Sequence, residues 1–293
     1  MRRSHRIVAV AAMMLVAMCV EPVVARAQTV VSAGVNLRLL SGTFGGTQTT
    51  HVVYAPAVLR VDVNRIELSA SFPLLVIDAG SVAMSQAGFV PMQGSLSGAP
   101  AAGMSMHGGM MGQSTTSPST PAFATATTLR QSGFGDVVTS AGYRVVDSVW
   151  SNLQVVVGAR LKLPTANADV GLGTGKTDVA GVVTVRKRYD TGWVSAEAGY
   201  LVIGKPTGAD LSNVALWSAG GGRRLSDRWY LLGSANGSSA VVQAFGSPAE
   251  IGAGIGVRLG ERMALTVLPS VGLSHASPKY ALTVGVSSDL LRR

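Results

Sequence analysis

The sequence predicts an all-β fold, an antiparallel transmembrane β-barrel of about twelve strands preceded by a cleaved signal peptide. Three observations predict it. First, stretches of about ten residues alternate apolar and polar side chains, which puts one greasy and one wet face on each strand. The clearest has Leu153, Val155, Val157, Ala159, Leu161 and Leu163 on one face and Gln154, Val156, Gly158, Arg160 and Lys162 on the other. Second, only 13% of the 293 residues are charged and 47% are hydrophobic, with a mean hydropathy of +0.35. Yet no apolar run beyond the N-terminus reaches the roughly 20 residues that a membrane-spanning helix needs. Third, the links between stretches alternate short and long, as the turns and loops of outer-membrane barrels do. A soluble sheet would bury its greasy face under helices or a second sheet, and no segment offers such a cover. Lipid outside and water inside remain, with barrel closure pairing every backbone N–H and C=O.

The N-terminus has the three parts of a signal peptide. Arg2, Arg3 and Arg6 give a positive region, residues 7–20 an apolar core, and Ala25-Arg26-Ala27 the small residues of a cleavage site. Residues 1–27 are therefore expected to be removed, leaving 28–293 as the barrel. Cys19, the single cysteine, would leave with them, which excludes disulfide and thiol chemistry. Taking Arg2, Arg3, Arg6, Arg26 and Glu21 from the 24 basic and 15 acidic residues lowers the formal charge from +9 to +6. The remaining charges are scattered singly through the strands rather than gathered in a patch, so no nucleic-acid partner is expected.

The expected strands run in order along the chain. Residues 29–40 put Val31, Ala33, Val35, Leu37 and Leu39 opposite Ser32, Gly34, Asn36 and Arg38. Residues 50–64 carry Arg60 and Asp62 on the polar face. Residues 65–73 follow after a tight turn at Asn64-Arg65, with Glu67, Ser69 and Ser71 inward. Residues 77–132 then break the rhythm. They are rich in Gly, Ser, Thr, Met, Pro and Ala, and longer than an ordinary loop of a compact domain. Alternation resumes at 134–145, 152–163, 176–188, 193–203, 213–225, 228–240, 248–259, 262–274 and 279–288. The two strands within 213–240 leave their parity open, because Trp217, Trp229, Tyr230, Leu231 and Leu232 occupy both faces. An even strand number places both termini on the side of the short turns, the periplasm. Parity also makes a prediction. An arginine at lipid-facing Val157 should cost roughly 2–4 kcal/mol near the midplane, and one at inward Val156 much less.

Charged residues gather on the polar face: Arg38, Arg60, Asp62, Glu67, Asp136, Arg144, Arg160, Lys162, Asp178, Arg186, Arg188, Glu197, Glu250 and Arg258. The cost of exposing them to lipid directs them inward. Two readings stand. They line a channel that selects solutes, or they pair with one another and plug a narrow barrel. A second unusual cluster, Met104, Met106, His107, Met110 and Met111, offers soft thioether and imidazole ligands among glycines, a pattern suited to Cu(I). The bland reading of the same segment is a low-complexity loop. The Gly171 to Thr177 stretch lacks the spacing of a nucleotide loop and leads into a strand rather than a helix. His51, His107 and His275 have no nucleophile motif or placed acidic partner, so no catalytic site and no cofactor are expected.

Three motifs resemble a known family. Gly133-Phe134-Gly135-Asp136-Val137 opens a strand, Leu161-Lys162-Leu163-Pro164-Thr165 closes the next, and Gly171-Leu172-Gly173-Thr174-Gly175-Lys176-Thr177-Asp178 opens the one after. In this order they resemble the outer-membrane barrels named for the meta pathway of phenol degradation. The resemblance is strongest from Gly133 to about Gly208. It implies a porin-like barrel in the bacterial outer membrane for small solutes, aromatic or hydrophobic ones included. Its partners would be membrane lipid, the solute and the barrel assembly machinery. Where many barrels end in an aromatic residue, this sequence ends Leu290-Leu291-Arg292-Arg293, so Tyr280 to Val284 is the expected assembly signal. The alternative is a structural or copper-binding surface barrel whose working part is the Met/His-rich loop.

Overall fold

The computed structural model describes residues 29–78, 82–85, 88–91, 130–169, 171–207 and 209–292. Its strands are β1 (Thr29–Gly42), β2 (Thr50–Val63), β3 (Ile66–Asp78), β4 (Val82–Ser85), β5 (Gly88–Pro91), β6 (Gln131–Phe134), β7 (Val137–Ser148) and β8 (Leu153–Leu163). They continue as β9 (Asp178–Tyr189), β10 (Gly192–Val202), β11 (Val214–Arg224), β12 (Trp229–Ser238), β13 (Ala249–Arg258), β14 (Met263–Gly272) and β15 (Tyr280–Arg292). All pairings are antiparallel between neighbours, and β1 pairs with both β2 and β15. The sheet therefore closes on itself as a 12-strand barrel, with β6 and β7 forming one broken wall strand against β3. Closure removes the edge that an open sheet would expose to lipid. No helix among the described residues is long and apolar enough to cross a membrane.

Directly paired residues share a face of the sheet, so the register carries one parity around the barrel. Outside lie Val35, Leu37, Leu39, Leu59, Leu68, Phe72, Val157, Leu161, Val183, Ile251 and Ile255, all exposed. An apolar belt of that kind is stable only in lipid. The parity left open in the sequence is settled by pairing. Trp217 pairs with Gly237 and falls outside, as do Trp229 and Leu231; Leu232 pairs with Gly222 and Gly254 and falls inside. Two glycines beside one inward leucine leave the volume that the leucine fills.

The links alternate as expected. Two residues, Asn64 and Arg65, separate β2 from β3, and Asn64 takes φ +51°, a left-handed conformation that asparagine tolerates. Asn152, before β8, takes the same φ. On the opposite rim lie the longer links 43–49, 79–130, 164–177, 203–213, 239–248 and 273–279. The long segment is bounded differently from the expected 77–132. Strand β3 continues through Asp78, a β4–β5 hairpin lies within the segment, and β6 begins at Gln131. Apolar Leu75 and Ile77, both buried inside the rim, account for the extra strand length. The expected signal peptide, residues 1–27, lies outside the described residues.

Two apolar clusters pack inside the wall in the long-loop half. One joins Leu40, Phe44, Val52, Leu75, Ile77, Leu172 and Ala281; the other joins Ala180, Leu201, Ile203, Leu211, Val214, Val241 and Val242. Loop 43–49 ties the mouth together, with the Gly45 N–H donating to the His275 carbonyl at 2.7 Å. Gly45 has φ +87°, and a Cβ there would land on the Phe245 side chain, which itself packs on the second cluster.

Candidate functional site: the charged barrel interior

The fourteen charged positions singled out in the sequence all fall on the face that carries the buried residues, and most are brought into ion pairs. Near the long-loop rim, Lys162 Nζ lies 3.2 Å from Asp136 Oδ2 and 3.0 Å from Asp178 Oδ2, with all three side chains fully buried. Lys162 also donates to Thr174 Oγ1 at 2.7 Å. Asp136 Oδ1 accepts the Ala166 N–H, and Asp178 Oδ1 accepts the Gly204 N–H, both at 2.9 Å. The charges thus pin the 164–177 loop and the start of the 203–213 loop to the barrel wall. Gly135-Asp136 breaks the β6–β7 strand, and the Gly135 N–H donates to the Pro73 carbonyl at 2.8 Å across that break. Gly173 is a close approach, since a Cβ there would strike the Asp136 carboxylate.

At mid-barrel, Arg160 donates to both oxygens of Glu197, at 2.5 and 2.6 Å, and Thr184 donates to the same carboxylate at 2.9 Å. Across the interior Arg38 on β1 is paired with Glu250 on β13. These strands are not neighbours, so the pair bridges the wall over β15 and β14. Arg258 donates to the Tyr230 hydroxyl at 2.7 Å and sits over its ring.

On the short-turn side, Glu67 is gripped by three arginines. Arg60 reaches Oε2 at 2.6 Å, Arg144 Nε reaches Oε1 at 3.1 Å, and Arg186 reaches both oxygens at 2.7 and 2.9 Å. Arg60 also contacts Asp62, and Arg144 contacts Asp147. A cavity of about 920 Å³ opens beside this group, lined by Arg60, Asp62, Glu67, Arg144, Asp147, Arg186, Arg188 and Asp289 among others. A smaller one of about 200 Å³ continues inward past Arg160 and Glu197, and both are lined by Arg60, Glu67 and Arg186.

Sequence alternation missed two carboxylates of this group. Asp147 comes three residues after Arg144, which in a regular strand would point it the other way. A bulge between Arg144 and Val146 inserts Val145, flips the parity, and turns Asp147 inward beside Arg144. The gap in alternation after Val145 was its only sequence signal. Asp289 lay beyond the expected strand end at Ser288, whereas β15 runs on to Arg292. Val156 faces inward but is only 5% exposed, and its methyl group occupies the space where Gly142 would carry a side chain. Val156 also lines the cavity of about 200 Å³, so the inner face at this level borders open space. The Met104, Met106, His107, Met110 and Met111 cluster lies outside the described residues. Among the described residues no group of three or more His, Cys, Asp or Glu is placed to hold a metal.

No protein-family profile and no curated protein matches the sequence. Solved structures do match. The NanC porin superposes with a TM-score of 0.51 at 9% identity, covering 89% of this chain and 100% of that one. The fold is that of an outer-membrane β-barrel. The KdgM porin solved with a disordered oligogalacturonate overlies with a TM-score of 0.46, 8% identity and coverages of 89% and 99%. The CymD monoaromatic hydrocarbon channel gives 0.42, 10%, 89% and 88%.

Proposed function

We propose that this barrel is a porin-like channel or transporter of the bacterial outer membrane for small solutes, aromatic or hydrophobic ones included. One observation carries the reading. Inside a closed, lipid-belted wall, charged side chains surround a cavity of about 920 Å³ on the short-turn side instead of packing it solid. In this reading the inward charges from Arg38 to Arg258 line the passage, apart from the fully buried Asp136, Lys162 and Asp178, and their pairing fixes their positions without filling its cross-section. The apolar clusters behind the long loops brace the outer mouth. The finer assignment, to the barrels named for the meta pathway of phenol degradation, is supported by the way its three motifs converge. They supply Asp136, Lys162, Thr174 and Asp178, the members of the buried charge group. Insertion through the barrel assembly machinery after removal of residues 1–27 belongs to the same proposal. Planar-bilayer recording of the purified barrel tests it: discrete conductance steps are expected, and a barrel that inserts yet never conducts would overturn the channel reading.

A further inference from the structure

The two cavities meet at Glu67, and the chemistry there is specific. Three guanidinium groups from β2, β7 and β9 converge on one carboxylate, so the cradle already has the shape of a carboxylate site, occupied by the protein's own side chain. Each guanidinium carries five N–H donors. Arg186 spends one terminal nitrogen on Glu67, and Arg60 and Arg144 divide theirs between Glu67 and a second acid. Donors are left over, and 31% of the Arg186 side chain and 40% of the Arg60 side chain are exposed to the cavities. Glu67, in contrast, is saturated by its three arginines and only 10% exposed. The larger cavity is lined by five arginines against four carboxylates, and Arg188 among them makes no ion pair among the described residues. At Glu67 itself a passing anion therefore meets open N–H donors, while a passing cation meets a carboxylate shielded behind guanidinium groups; Asp62, Asp147 and Asp289 stand further out in the larger cavity.

We propose that Glu67, held by Arg60, Arg144 and Arg186 between the two cavities, sets the charge selectivity of the passage, and that this neck binds small organic carboxylates. The inference rests on the channel reading. A carboxylate solute adds to the unspent donors or exchanges with Glu67 in the cradle; bidentate geometry makes guanidinium the fitting partner for that group. Neutralising Glu67 raises the local positive charge, and neutralising one arginine lowers it.

Reversal potentials across a KCl gradient test this with the full barrel in planar bilayers, comparing wild type, Glu67→Gln and Arg186→Gln. Potassium benzoate in place of KCl serves as the carboxylate probe. Wild type should favour chloride over potassium modestly. Glu67→Gln should raise that ratio several-fold, and Arg186→Gln should lower it. Benzoate should carry current or block chloride current in wild type, and do so more strongly in Glu67→Gln. Heat-modifiable mobility on gels confirms folding. Arg186→Gln leaves Glu67 with two arginines, so it decides the question alone if Glu67→Gln does not fold. Unchanged ratios in conducting, folded variants would overturn Glu67 as the selectivity residue, and indifference to benzoate would overturn the carboxylate site. Absence of conductance in wild type would instead sink the channel reading itself.

Discussion

Lys162 stands 3.0 Å from Asp178 where neither side chain touches solvent. The same ammonium group is 3.2 Å from Asp136, so one buried cation serves two buried anions. Removing one partner of a buried pair leaves an uncompensated charge, at a cost of about 3–5 kcal/mol. Lys162→Met should therefore destabilise the barrel by that amount, read as a lower urea midpoint followed by tryptophan fluorescence. The triple change Asp136→Asn, Lys162→Met, Asp178→Asn should recover most of the loss. A single variant as stable as wild type would mean that these charges do not hold the loops.

The parity of β8 is testable at two adjacent residues. Val157 is 47% exposed on the lipid face, and Val157→Arg should cost roughly 2–4 kcal/mol if it lies near the midplane. Val156→Arg faces no lipid and borders the cavity of about 200 Å³, so it should cost much less. Unfolding in bilayers of two thicknesses separates the causes. The Val157 penalty should shrink in the thinner bilayer, and the Val156 penalty should not. A thickness effect at Val156 would show the register to be wrong.

Gly45 binds the mouth together because only glycine fits its conformation and its space. Gly45→Ala places an L side chain at φ +87° and drives it into Phe245, which should destabilise the loop by about 1 kcal/mol or more. On intact cells, loops 43–49 and 239–248 should then be cut faster by added protease. Phe245→Ala in the Gly45→Ala background removes the collision and should slow cleavage again. Cleavage at the wild-type rate in Gly45→Ala would separate the two loops functionally.

Among the described residues the wall closes through β3, β6 and β7. Deleting residues 95–120 should leave a heat-modifiable barrel, since lengthening or shortening a surface loop changes closure entropy only slowly. A rise in conductance would identify the segment as a gate. The same deletion addresses copper: Cu(I) binding that survives it would remove Met104, Met106, His107, Met110 and Met111 as ligands.

Alternation, with a low charge content and no spanning helix, determined the barrel, the number of strands and the side of the sheet on which the fourteen singled-out charged residues stand. It could do so because a strand has a period of two and lipid penalises the wrong face, so every strand repeats the same instruction. The order of short and long links settled which rim is which. Three things were decided only by the tertiary structure. A single bulge at Val145 reversed parity and brought Asp147 to Arg144, and a bulge is not a periodic signal. The partners of each charge depend on strand pairings distant in sequence: Arg38 meets Glu250 because β1 closes on β15, and Arg186 meets Glu67 because β3 pairs with β7. The space left inside is also a product of closure: alternation places Val156 and Glu67 on the same inner face, but only the closed barrel brings them together around the one cavity that both line.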